Sequence, residues 1–92
     1  MTADEIVART DPGAPARLSG EDLESILGRA DSLWEDPTGI AGPIRTIGLG
    51  ELTLVQESTP DGEVFLRRFG SPESARRFVD ARLAAYERMW DG

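Results

Sequence analysis

The chain has 92 residues, with 17 acidic side chains against ten basic ones for a formal charge of −7, and it contains neither histidine nor cysteine. Those absences exclude a disulfide, a thiol nucleophile and a cysteine-type zinc or iron–sulfur site, and they remove the commonest general base and metal ligand. An apolar fraction of 39% beside 29% charged residues is that of a folding globular domain, although a chain this short buries only about 60–65% of the surface its unfolded form exposes.

All ten basic residues are arginines, which beside abundant Ala, Gly and Pro reads as the imprint of a GC-rich genome. No apolar run approaches the ~20 residues that span a bilayer, and residues 1–20 lack the basic-then-apolar pattern of a signal peptide. The expected location is cytoplasmic, away from any membrane.

In chain order, Thr2 and Glu5 have the spacing of a capping box, which predicts a short helix over residues 3–8. Thr10 to Arg17, with two prolines and a glycine, reads as a linker, so residues 1–17 are expected to form an N-terminal arm outside the core. The expected domain is residues 18–92. Its first helix starts at Ser19, with Glu21 and Asp22 in the first turn and Leu18 placed to staple onto Leu23. Leu23, Ile26, Leu27, Ala30, Leu33 and Trp34 continue a 3.6-residue period that predicts helix as far as Asp36-Pro37, with Trp34 as a core plug.

Beyond Gly39 the period becomes that of strands. Leu52 to Glu57 and Val64 to Phe69 are β-prone runs joined by Thr59-Pro60-Asp61-Gly62, which suits a type I turn closed by a glycine bulge. If Thr59 opposes Glu63, Leu54, Val64 and Leu66 share one face, and Val55, Phe65 and Phe69 share the other. Ile44 to Leu49 is either a third strand or half of one bent at Gly48 or Gly50. Gly48-Leu49-Gly50 reads as that bend and not as a phosphate loop, since it lacks the third glycine, the lysine and a helix start. The last helix opens at Ser71-Pro72 and carries Ala75, Phe78, Val79, Leu83, Tyr86, Met89 and Trp90 as its apolar stripe. The expected fold is a small single α+β domain, in the order helix, antiparallel β-hairpin or three-stranded sheet, helix, with both helices on one face of the sheet.

Six of the ten arginines fall after residue 62, yet residues 63–92 also hold five acids, for a net of only +1, while residues 1–62 carry −8. Glu73–Arg77 and Arg76–Asp80 have i,i+4 spacing, which predicts an internally paired, solvated helix face rather than a phosphate-binding one. Arg67 and Arg68 point to opposite faces of one strand. Arg82 alone falls inside the apolar stripe, between Phe78 and Tyr86, where the simplest expectation is that its head snorkels to water. The other reading has its guanidinium meeting a carboxylate.

Without His, Cys or Lys, activating a nucleophile or tuning a base near neutral pH is difficult, so the chain reads as non-enzymatic, with no catalytic, cofactor-binding or metal-binding residue assigned. The leading expectation is a small accessory or adaptor protein. It would bind a protein partner, or itself, through an apolar face of the hairpin and the end of the last helix, with Phe65, Arg82, Tyr86, Met89 and Trp90 as contact residues. The motive is an apolar pattern on both hairpin faces and two helices, more than so small a core buries. Two alternatives remain open. One is a nucleic-acid-associated regulator using Arg67, Arg68, Arg76 and Arg77, which the net negative charge disfavours. The other is a small anionic-ligand sensor or minimal enzyme, with Arg82 or Arg45 as the clamp beside Tyr86.

Overall fold

The tight turn at Thr59–Gly62 sets the register of the sheet. Gly62 N–H donates to Thr59 O at 2.9 Å, Thr59 N–H donates to Glu63 O at 2.9 Å, and Gly62 holds φ +87°, a conformation that glycine adopts without a Cβ penalty. The strands it joins, β4 (Leu52–Ser58) and β5 (Val64–Phe69), pair antiparallel with Ser58 opposite Val64. Ile44–Leu49 is a separate strand, β3, turned into β4 at Gly50 with φ +60°. Gly48-Leu49-Gly50 is thus a strand end and the start of a turn between two strands, not the bend or bulge within one strand that was expected.

The computed structural model describes residues 3–10, 15–39 and 44–91. Two further strands flank the expected three. β1 (Ala16–Leu18) pairs with β5, and β2 (Ser32–Glu35) pairs with β3, so that the sheet runs β1-β5-β4-β3-β2 and is antiparallel throughout. The α+β class holds, with five strands in place of two or three.

β2 replaces the second half of an expected helix. That helix, α2, covers only Gly20–Gly28. Ser19 caps it as expected, its Oγ accepting from Asp22 N–H at 3.2 Å, and Leu18 and Leu23 meet in one apolar cluster. At the other end Arg29 N–H donates to Ile26 O and Ala30 N–H to Leu27 O, a tightened last turn after Gly28. Asp31 then commits the chain to the sheet: its N–H donates to Gly48 O at 2.7 Å, and its carboxylate accepts from Gly50 N–H at 2.5 Å. Sheet pairing overrides a helical spacing that Leu33 and Trp34 had extended by coincidence.

The helices do not share a face. Ile47, Leu54 and Leu66 pack with Ile26 of α2 and with Ile6 of α1 (Ala3–Arg9). Ile44, Val55 and Phe69 pack instead with Ala75 and Val79 of α3 (Pro72–Asp91). The sheet is therefore the middle of three layers, and the expectation of both helices on one side is corrected. The reason lies in β4, where Thr53, Leu54, Val55 and Gln56 are all buried, so that each of its faces needs its own cover.

The expected N-terminal helix forms, and it is no appendage: Ile6 is 1% exposed, and Thr10 is buried with its Oγ1 donating to Val7 O at 2.7 Å. Its expected cap, Thr2, lies outside the described residues, as does Gly92 at the far end of α3. Within the supposed linker, Ala16 and Arg17 belong to β1. A structure layered in this way predicts that Ile26→Ala, acting on the side away from α3, costs ~2–5 kcal/mol in denaturant unfolding while the transition stays single and cooperative.

Candidate functional site

α3 starts where Ser71 places its Oγ on Ser74 N–H at 3.2 Å and Pro72 occupies the first helical position. The stripe that follows descends onto the sheet. Phe78 stacks at 45° on Phe69 of β5, with ring centroids 5.3 Å apart. One turn later Arg82 crosses to β4. Its Nε lies 2.8 Å from Glu57 Oε2, and its Nη2 donates to Glu57 Oε1 at 3.4 Å. The Nε approach is off-axis, so the buried Nε–H makes an ion-pair contact without a directed hydrogen bond. Arg67 of β5 donates from Nε to the same carboxylate at 3.3 Å. Both guanidinium carbons stand 4.9 Å from the centroid of Phe78. Arg82 does not simply snorkel: a half-buried carboxylate, 22% exposed, holds it to the sheet.

This cluster floors a groove of about 300 Å³ between the hairpin and α3. Its walls are Pro15, Pro60, Phe65 and Tyr86, with Ser58 and Thr59 supplying hydroxyls. Three of the five residues expected to contact a partner, Phe65, Arg82 and Tyr86, therefore meet at one place. Met89 stands 74% exposed one turn beyond Tyr86 and is not part of the groove wall. The side chain of Trp90 lies outside the described residues.

Glu57 and Arg67 are charged groove residues that were not among the expected partner contacts. The hairpin register carried the signal, because residues 55, 57, 65, 67 and 69 share a face once Thr59 opposes Glu63.

The other charges disperse. Arg45 lies on the opposite face of the sheet, bound to Glu35 at 3.2 Å and donating to the buried Gln56 at 3.1 Å, so it does not join Arg82 beside Tyr86. Arg68 pairs in register with Leu54 on that same far face, away from Arg67 opposite Val55. Of the two spacings on α3, Arg76–Asp80 forms at 3.2 Å, whereas Glu73 and Arg77 line a second groove of about 450 Å³ with Trp34, Thr46, Pro72 and Arg76. Arg76 sits 5.5 Å over the ring of Trp34, which is a half-buried flank of the α3-side core and not its centre.

The apolar surplus that motivated a partner is smaller than the pattern implied, because both hairpin faces are covered by the chain's own helices. Among the described residues the exposed large apolar side chains are Leu33 and Met89. No helix among those residues is long and apolar enough to cross a membrane. No protein-family model matches the chain, and comparison with curated proteins and with solved structures returns no significant match.

The shared carboxylate makes a sharp contrast with the exposed pair on α3. Glu57→Ala strands the half-buried guanidinium of Arg82 and takes an ion pair from Arg67, and it is expected to lower unfolding stability by about 2 kcal/mol, whereas Asp80→Ala, which breaks a pair exposed by 60% or more on each side, is expected to cost less than ~0.5 kcal/mol. Chemical denaturation of the two variants side by side checks the difference.

Proposed function

We propose that the protein is a small non-catalytic accessory or adaptor protein that docks a protein partner on the groove between the hairpin and α3. The observation that carries this reading is the convergence of Phe65, Arg82 and Tyr86, drawn from a strand and a helix, on one concave surface. Aromatic rings beside an arginine at the centre of a concavity are the residue types that dominate binding energy at protein interfaces. Met89, three residues past Tyr86 on the same helical stripe, extends the contact as an apolar rim.

The size of the domain favours binding over chemistry. Its polar groups near the groove are a carboxylate already shared by two arginines, two hydroxyls and a phenol, and none of these is paired with a base that would activate it.

Affinity capture with the full chain as bait, followed by titration of the purified partner, tests the reading. The expected result is one specific partner whose affinity falls by about 2 kcal/mol or more in Tyr86→Ala and in Phe65→Ala, while Arg77→Ala, on the second groove, leaves it unchanged. Thermal melting shows whether each variant is folded. A partner bound equally well by folded Tyr86→Ala and Phe65→Ala contradicts the proposal, as does a bait that captures nothing and stays monomeric by light scattering.

A further inference from the structure

We infer that the groove recognises a carboxylate of the partner polypeptide that lies next to an apolar side chain, with Arg82 as the receiving group. The inference rests on the reading of this groove as the docking surface and names the chemistry it selects. A guanidinium presents two edges for paired hydrogen bonds, a side edge made by Nε and one Nη, and an end made by both Nη groups. In Arg82 Glu57 occupies the side edge alone, through the off-axis contact at Nε and a long 3.4 Å bond to Nη2. No acceptor among the described residues is bonded to Nη1, which leaves the end edge for a second planar acceptor.

Three features make that acceptor a carboxylate on an apolar body. Glu57 gives Oε1 to both Arg67 and Arg82 and sets Oε2 against Arg82 Nε, so it spans only the side edge of Arg82 and leaves the end edge matched to another two-oxygen acceptor. The walls offered by Pro15, Pro60, Phe65 and Tyr86 suit an apolar or aromatic side chain adjoining the acid, which inorganic phosphate lacks. A chain of net charge −7, with Glu57 inside the groove, also disfavours a dianion more than a monoanion. Phe78 keeps the guanidinium in place from below, so the docking side chain meets an arginine that is already oriented.

The test titrates the ¹⁵N-labelled full chain with sodium phenylacetate, which joins a carboxylate to an aromatic ring, following the Arg82 Nε–Hε signal and the amides of Phe65 and Tyr86. Phenylacetamide and inorganic phosphate serve as controls. The expected result is a saturable shift of these signals by phenylacetate, at least tenfold weaker with either control. The affinity should fall at least tenfold in Arg82→Gln and also in Arg82→Lys, which keeps the charge and the pairing with Glu57 but loses the planar fork. Phenylacetate should also displace the captured partner from the wild-type chain. Absence of saturation, equal binding of the amide, phosphate binding as tightly, or full affinity in both folded variants overturns the carboxylate assignment. Phenylacetate that saturates the groove without displacing the partner overturns the partner as its source, in favour of a free small acid. A partner that is lost on Tyr86→Ala yet indifferent to Arg82→Gln leaves the docking surface standing and removes only the carboxylate.

Discussion

The arrangement depends on a central strand with no solvent face. Thr53 to Gln56 are buried in succession, so the side chains that β4 sends to each side of the sheet must be covered by something else in the chain. At about 25 cal/mol per Å² of apolar surface, leaving either Leu54 or Val55 wet would remove a sizeable share of what a domain this small has to stabilise it. Two covers are therefore required: α1 and α2, which flank β1 in the chain, supply one, and α3, after the last strand, supplies the other. The N-terminal segment is drawn into the core for the same reason, because the nine residues of α2 are too few to cover their side without Ile6.

The site follows from the asymmetry of those covers. α3, the one helix on its side among the described residues, packs along β4 and β5 through Ala75, Phe78, Val79 and Leu83. At its far half the packing passes from apolar contact to charge, with Arg82 reaching Glu57, and the groove opens there between Tyr86 and the end of the hairpin. At its near half β2 and β3 extend past the helix, and Trp34 with Arg76 forms the second depression. Both concavities thus come from covering a five-stranded sheet with a single helix. Only the one near Tyr86 places two half-buried arginines, a shared acid and aromatic walls together.

Elements closed by local chemistry were legible in the sequence. The turn at Thr59–Gly62 specified its own hairpin register, and that register correctly sorted Leu54, Val64 and Leu66 from Val55, Phe65 and Phe69. Ser19 and Ser71-Pro72 marked two helix starts where the structure has them. Elements stabilised by distant partners were hidden. β1 is three residues long, stands just after a proline-rich stretch and exists only by pairing with β5 some 48 residues on. β2 is four residues long, too short to display alternation, while Leu33 and Trp34 happened to fit the period of the preceding helix. Arg82 stood out by its place in the apolar stripe, but snorkelling was the simpler expectation and its carboxylate was not named: Glu57 was on the right face by register, and no local rule connects it to a residue 25 positions away. Placing both helices on one side also concealed that α3 alone would meet the Phe65 face.

Methyl-to-methyl nuclear Overhauser effects in a chain labelled at isoleucine, leucine and valine test the central claim, that the two helices lie on opposite sides of a doubly covered sheet. The account predicts cross-peaks from Ile26 to Ile47, Leu54 or Leu66, a separate set from Val79 to Ile44 or Val55, and none between Ile26 and Val79. A direct Ile26–Val79 cross-peak would put both helices on one face and contradict the account.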